Sequence, residues 1–163
     1  MLVLSACGFQ PLYGERPTTR AETNLASITV DVIADRAGQM LRNELGTRLD
    51  PNNQGLAPQY QLKVKLQESI SRLAVRRDAS ATRANLTLKA DYTLQSIKGA
   101  AAVYSGSVRS VNSYDILGTE NEFGTLAARE EARRRASRDL ADQIAVRLAL
   151  ALEQQSRGNQ PKP

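Results

Sequence analysis

Three alternating runs, one after another, dominate this sequence and limit the folds open to it. From Gln59 the period is two: Tyr60, Leu62, Val64 and Leu66 alternate with Gln61, Lys63, Lys65 and Gln67, and the pattern carries on to Ile70. Leu73 and Val75 then fall on the opposite parity, which predicts a bulge near Ser71 and Arg72. Leu86, Leu88, Ala90, Tyr92 and Leu94 make the second run. The third extends from Val103 to about Tyr114, with Tyr104 and Val108 in phase, and Lys98-Gly99 marks the turn before it. Period two with one apolar parity is the signature of strands that bury one face. Three in sequence predict an antiparallel meander.

A half-buried sheet needs a cover, and two segments of helical period supply it. Met40, Leu41, Leu45 and Leu49 recur at helical spacing, with Asp35 as the expected N-cap and Asp50-Pro51 as the stop. The second helix is expected over Thr125 to Gln155, with Leu126, Ala132, Ala136, Leu140, Ile144, Leu148 and Leu152 along one stripe. Upstream, Leu25 to Ile33 reads as a further strand, with Ile28, Val30 and Val32 on one side. The order is strand, helix, three strands, helix. The prediction is a two-layer α+β domain, two helices on one face of a four-stranded mixed sheet. Its boundaries are expected at 25–155, with a tether of turns and extended chain at 7–24 and a disordered tail at 156–163.

Composition narrows the chemistry. Aromatic residues are 4% of the chain and Trp is absent, so the core must be aliphatic. The chain has no His and one Cys, which excludes a His-dependent triad, a transition-metal site and an internal disulfide. There is no P-loop, no GxGxxG and no paired-carboxylate motif. No enzyme and no cofactor is expected.

The single cysteine, Cys7, closes Leu4-Ser5-Ala6-Cys7. Two small residues before a Cys, after an apolar run, suit lipoprotein signal peptidase, and the thiol accepts the diacylglycerol. Residues 1–6 then read as the remnant of a lipoprotein signal peptide, the rest of which would lie upstream, and Cys7 as the lipidated first residue. Acyl chains would hold the domain at a membrane, because no other stretch approaches the roughly 18 apolar residues of a span.

From Cys7 the chain continues Gly8-Phe9-Gln10-Pro11-Leu12-Tyr13-Gly14. This octapeptide resembles the mature start of the lipopolysaccharide-assembly lipoprotein family LptE, in its alphaproteobacterial branch. The segment Ala127 to Ala136, followed by Leu140-Ala141-Asp142-Gln143-Ile144, is similar to the family's last helix, and the element order is similar to its fold. The resemblance implies an outer-membrane lipoprotein that faces the periplasm or lies within a barrel lumen. It would form a one-to-one complex with the LptD β-barrel, plug it, assist its assembly, and bind lipopolysaccharide in transit. Another exported envelope lipoprotein, acting as a structural or transport-accessory module, is the alternative.

Charge placement offers a site. The chain carries 22 basic and 17 acidic residues, +5 in all. Between Arg72 and Lys89 there are five basic residues and one acid, Asp78, a local +4. This stretch spans the first hairpin's loop, so its side chains are expected to project together. For the family's ligand, Arg76, Arg77, Arg83 and Lys89 become the candidate contacts to phosphate, since a guanidinium binds phosphate in a bidentate manner. A nucleic-acid partner is not expected, because aromatic residues for base stacking are missing there. The arginines of the last helix stand three or four residues from Glu130, Glu131, Asp139 and Asp142. They are expected to pair along the helix or to touch a barrel wall.

Overall fold

In the computed structural model, residues 24–75, 81–99, 101–117 and 121–158 are described. The elements are β1 (Ile28–Val30), α1 (Asp35–Leu49), β2 (Tyr60–Val75), β3 (Ala81–Ser96), β4 (Ala102–Asp115) and α2 (Glu122–Gly158). The sheet order is β1-β2-β3-β4. β1 runs parallel to β2, joined through α1, and the other two pairs are antiparallel. The sheet is therefore mixed, and both helices cover one face, as expected.

Register explains the division of the faces. Leu62 lies opposite Leu94, Val64 opposite Tyr92, and Leu66 opposite Ala90. Ala90 lies opposite Val108 and Ala84 opposite Tyr114. Side chains of directly paired residues share a side. One parity thus meets Leu41, Leu45 and Leu49 of α1 and Leu140, Ile144 and Leu148 of α2 in a single buried cluster. Each fully buried Leu or Ile contributes about 1.5–3 kcal/mol. Ala132, Ala136 and Ala141 are buried too and let the α2 backbone sit close. The other parity of β2, β3 and β4 faces neither of the two helices. It carries Lys63, Lys65, Lys89 and Arg109 among Gln, Ser and Thr residues.

Several expectations need correction. β1 has three residues, because the alternation fails after Val30. Val32 is exposed at 83% and Ile33 is buried. Leu25 lies in a helical turn at 24–26, closed by Ser27 Oγ donating to Asn24 O at 2.7 Å. Asp35 is not a cap. Ala34 is the N-cap residue, no side chain caps the amides, and Asp35 begins the helix at φ +67°. Asp tolerates that left-handed geometry better than most residues, and its charge suits the helix start. Ile33 and Gly38 pack so closely that a Cβ on Gly38 would stand 2.7 Å from Ile33 Cγ2. The bulge in β2 is real, with the register shifting between Arg72 and Ala74. α2 starts three residues earlier than expected. It also runs through Gly158, into the stretch expected to be disordered. Leu126, placed on its buried stripe, is half exposed.

Both edges of the sheet are touched by arginines. On β1, Arg42 Nε donates to Val30 O at 3.3 Å. On β4, Arg135 Nη2 donates to Ser113 O at 3.2 Å and Arg147 Nη1 to Ser107 O at 2.9 Å.

Candidate ligand-binding surface

Two of the four expected contact residues, Arg76 and Arg77, lie outside the described residues, in the segment that links β2 to β3. Arg83 stands near the start of β3, opposite Ala74 on one side and Asp115 on the other. Its Nε lies 3.2 Å from Asp115 Oδ1, and both side chains are more than half exposed. Arg72, on β2, is exposed as well.

Lys89 does not sit at the hairpin tip. It lies in the middle of β3, between Gln67 and Arg109. It stands six positions along the strand from Arg83, a distance of about 20 Å. Its Nζ is 3.2 Å from Asp91. Counting charge along the chain merged two places, because it cannot see strand register. It also missed Asp115, which is remote in sequence and adjacent in the sheet.

What Lys89 joins instead is a basic stripe on the open face. Lys89 and Arg109 are direct cross-strand partners, and Lys65 stands opposite Asp91. Like charges placed opposite each other destabilise a sheet. Asp91 is the acid among them, and hydrogen bonds from Ser107 and then Lys89 lower its carboxyl pKa. A shallow depression of about 420 Å³ beside this stripe is lined by Lys63, Lys65, Asp91, Thr93 and Ser105. Alternation alone places Lys63 and Lys65 on this face. The contribution of Arg109 needs the register.

The core side of the sheet holds a second charged group that sequence reasoning missed. Glu68 follows Leu62, Val64 and Leu66 on the apolar parity. Arg133 of α2 reaches it with two bonds, Nε to Oε2 and Nη2 to Oε1, each 2.7 Å. Arg133 also pairs with Glu130, and its side chain is only 7% exposed. The bond from Arg133 holds the Glu68 carboxyl below its ordinary value, against the opposing effect of burial. The same pairing raises Arg133. Arg36 approaches Glu130 at 3.6 Å and Arg129 approaches Glu68 at 3.9 Å. These groups line a cleft of about 430 Å³ between the start of α1, α2 and β2. Three arginines face Asp35, Glu68 and Glu130 there, so the cleft is electrically balanced and acts as a structural joint.

Further pairing along α2 follows the expectation from the sequence, and other contacts tie the helix to its neighbours. Arg134 pairs along the helix with Glu131. Arg48 of α1 bonds Asp142 of α2, which locks the helices side by side and raises the arginine pKa. Asp139 accepts from Ser110 Oγ at 2.8 Å and Asn112 Nδ2 at 3.2 Å. The helix is thus sewn to β4 by polar contacts as well as packed on it. Tyr92 is a packing residue, as expected. Its ring lies 6.1 Å from that of Tyr104, and a Cβ on Gly106 would stand 2.7 Å from its hydroxyl. Burial first, then Tyr104, pushes that phenol up to about 12.

Among the described residues no group of three His, Cys, Asp or Glu could hold a metal. Among them, too, no helix is long and apolar enough to cross a membrane. The fold and its surfaces define a two-layer α+β module whose second sheet face is basic and, among the described residues, carries no helix. A family model described as LptE, lipopolysaccharide-assembly, matches residues 25–148. The chain belongs to that family, one of non-enzymatic lipoproteins implicated in lipopolysaccharide assembly. Among solved structures, it is similar to a candidate lipoprotein of Caulobacter crescentus CB15, at 26% identity and a TM-score of 0.69, over 82% of this chain and 96% of that one. A minor lipoprotein of Acinetobacter baumannii shares the fold at 19% identity and a TM-score of 0.55, over 76% and 91%. Lipoprotein B of Nitrosomonas europaea does so at 13% and 0.57, over 83% and 88%. No curated protein matches.

Proposed function

We propose that this chain is a lipid-anchored outer-membrane protein that plugs the LptD β-barrel, one to one. In that place it assists barrel assembly and binds lipopolysaccharide on its way to the surface. The observation that carries the proposal is the family match across the folded domain. Shape and surface agree with it. The 37 residues of α2 make a rod about 55 Å long, enough to reach through a bilayer of about 40–45 Å with headgroups. The open face of the sheet is polar, and so is the interior of a large barrel. Cys7 is the acylated anchor, and two or more chains make anchoring stable. Arg76, Arg77 and Arg83 at the hairpin end hold phosphate. Lys89 belongs with Lys63, Lys65 and Arg109 in a separate basic stripe that can meet a second anionic group.

The test is extraction of native membranes in mild detergent. The chain should leave with a large β-barrel in equimolar amount, and its depletion should lower the level of correctly assembled barrel. A monodisperse chain without a barrel, together with unchanged barrel levels on depletion, would refute the proposal.

A further inference from the structure

β2 runs for 16 residues, yet β1 pairs with it only from Tyr60 to Leu62. The strand's outward groups follow from the bonds that β1 and its flanks do make. Tyr60 N donates to Ser27 O at 3.2 Å, and Leu62 O accepts from Asp31 N at 3.0 Å. In an antiparallel pair the N–H and C=O of one residue point the same way, and the direction alternates along the strand. The register of β2 against β3 is unbroken from Tyr60 to Arg72. Val64, Leu66, Glu68 and Ile70 therefore turn N–H and C=O away from β3, over about 20 Å. Among the described residues, none of these groups has a hydrogen-bond partner on that side. Elsewhere on the sheet's borders, Arg42, Arg135 and Arg147 lie on carbonyls. An unpaired edge of this length is a template for one more strand.

The surroundings select the strand. The cleft at the start of α1 adjoins this edge at Leu66 and Glu68. Arg129 Nε and Glu130 Oε2 are buried there without a hydrogen-bond partner among the described residues, which buried polar atoms rarely are. An added strand would put alternate side chains on the helix side, next to Ala34, Leu66 and Ile70, the last 41% exposed. Its other side chains would lie on the open face beside Lys63 and Lys65, both exposed. Charge there is positive in excess. Lys63, Lys65 and Arg72 add to the three arginines of the cleft, against its three acids. Arg133 already holds Glu68 and Glu130. A second copy of this chain would bring the same excess against itself. Residues 8–23 are no better matched: they carry two acids and two bases, with Pro11 and Pro17, which lack the donor that pairing needs.

We propose that the β2 edge from Val64 to Ile70 takes an extended acidic segment of another polypeptide as a fifth strand. Apolar side chains of that segment face the helices, and acidic ones lie beside Lys63 and Lys65. None of the phosphate contacts named above takes part.

The experiment uses the full chain produced without acylation and short capped peptides: alternating Val and Glu, alternating Val and Lys, and the Val/Glu peptide N-methylated at either its Val or its Glu amides. The Val/Glu peptide should bind at least tenfold more tightly than the Val/Lys peptide. It should slow amide exchange at Val64, Leu66, Glu68 and Ile70, which exchange freely in the chain alone. One N-methylated form should lose binding and the other keep it, because only one set of amides faces β2. Ile70→Pro, which removes an outward donor without touching the β3 ladder, should weaken binding about tenfold. Val111→Pro on β4 should bind as the wild type. If Ile70→Pro proves unstable, the N-methylated pair tests the same bonds from the other side. No binding of the Val/Glu peptide, or equal binding of both N-methylated forms, would overturn the proposal. So would protection of the four amides in the chain alone. Protection lost on removal of residues 1–23 would assign the edge to the chain's own leader, and protection that grows with concentration would assign it to a second copy.

Discussion

Arg133→Met is the most informative single change. It keeps the aliphatic bulk of the side chain and removes the charge that Glu68 and Glu130 share. Breaking a buried pair by removing one partner costs roughly 3–5 kcal/mol, because the other charge is left desolvated. Glu68 retains 23% of its side-chain exposure, and Arg129 stands 3.9 Å away. Both soften the loss, so about 2–3 kcal/mol is expected at pH 7. For a domain of this size that is about 6–12 °C in Tm. The sign of the pH effect is fixed by Glu68, whose folded-state pKa lies below its ordinary 4.5. A depressed carboxyl adds stability that is complete above that ordinary value and lost as pH falls through the folded-state one. The penalty of Arg133→Met should therefore shrink steadily below about pH 4.5. Urea unfolding of both proteins at pH 7 and pH 3 measures it. Glu68→Leu/Arg133→Met should recover most of the loss, since replacing both partners by apolar groups is often neutral. A penalty under about 0.5 kcal/mol at pH 7, within ordinary surface effects, would refute the reasoning. So would a penalty of the same size at both pH values.

Other outcomes follow from the same structure. Cys7→Ala should release a folded domain from membranes, and radioactive palmitate should label the wild-type precursor but not the variant. Changing Arg76, Arg77 and Arg83 together to Ser should weaken lipopolysaccharide binding, more at low salt than at high, with Tm unchanged. Gly38→Ala should lower stability by about 1–3 kcal/mol in urea titration, because the new methyl overlaps Ile33.

Much of the architecture is legible in the sequence because side-chain periods are local. Leu86 to Leu94 alternate without a break, and all five inward residues are buried. Ala132, Ala136, Leu140, Ile144, Leu148 and Leu152 keep the helical stripe and are buried too. What depends on distant partners is not legible. Val32 continues the parity of Ile28 and Val30, yet β1 pairs with β2 over only three residues. Ile33 is instead drawn inward against Gly38. Glu68 falls on the apolar parity and is tolerated because Arg133, far along the chain, meets it. The basic cluster shows the same limit. Lys89 shares a stretch of sequence with Arg83, but strand geometry carries it away and puts it beside Arg109.

The arginines on the sheet edges have a consequence for how this chain stays single. A four-stranded sheet has two free borders, and each is a template on which further chains can polymerise. Arg42, Arg135 and Arg147 occupy carbonyls on those borders. A cationic, bulky side chain lying across a border discourages a neighbour's strand while the domain stands alone in water. Such a hydrogen bond is worth only about 0.5–1.5 kcal/mol. It is a latch rather than a lock, and the stronger contacts of a true assembly partner can lift it without unfolding anything beneath.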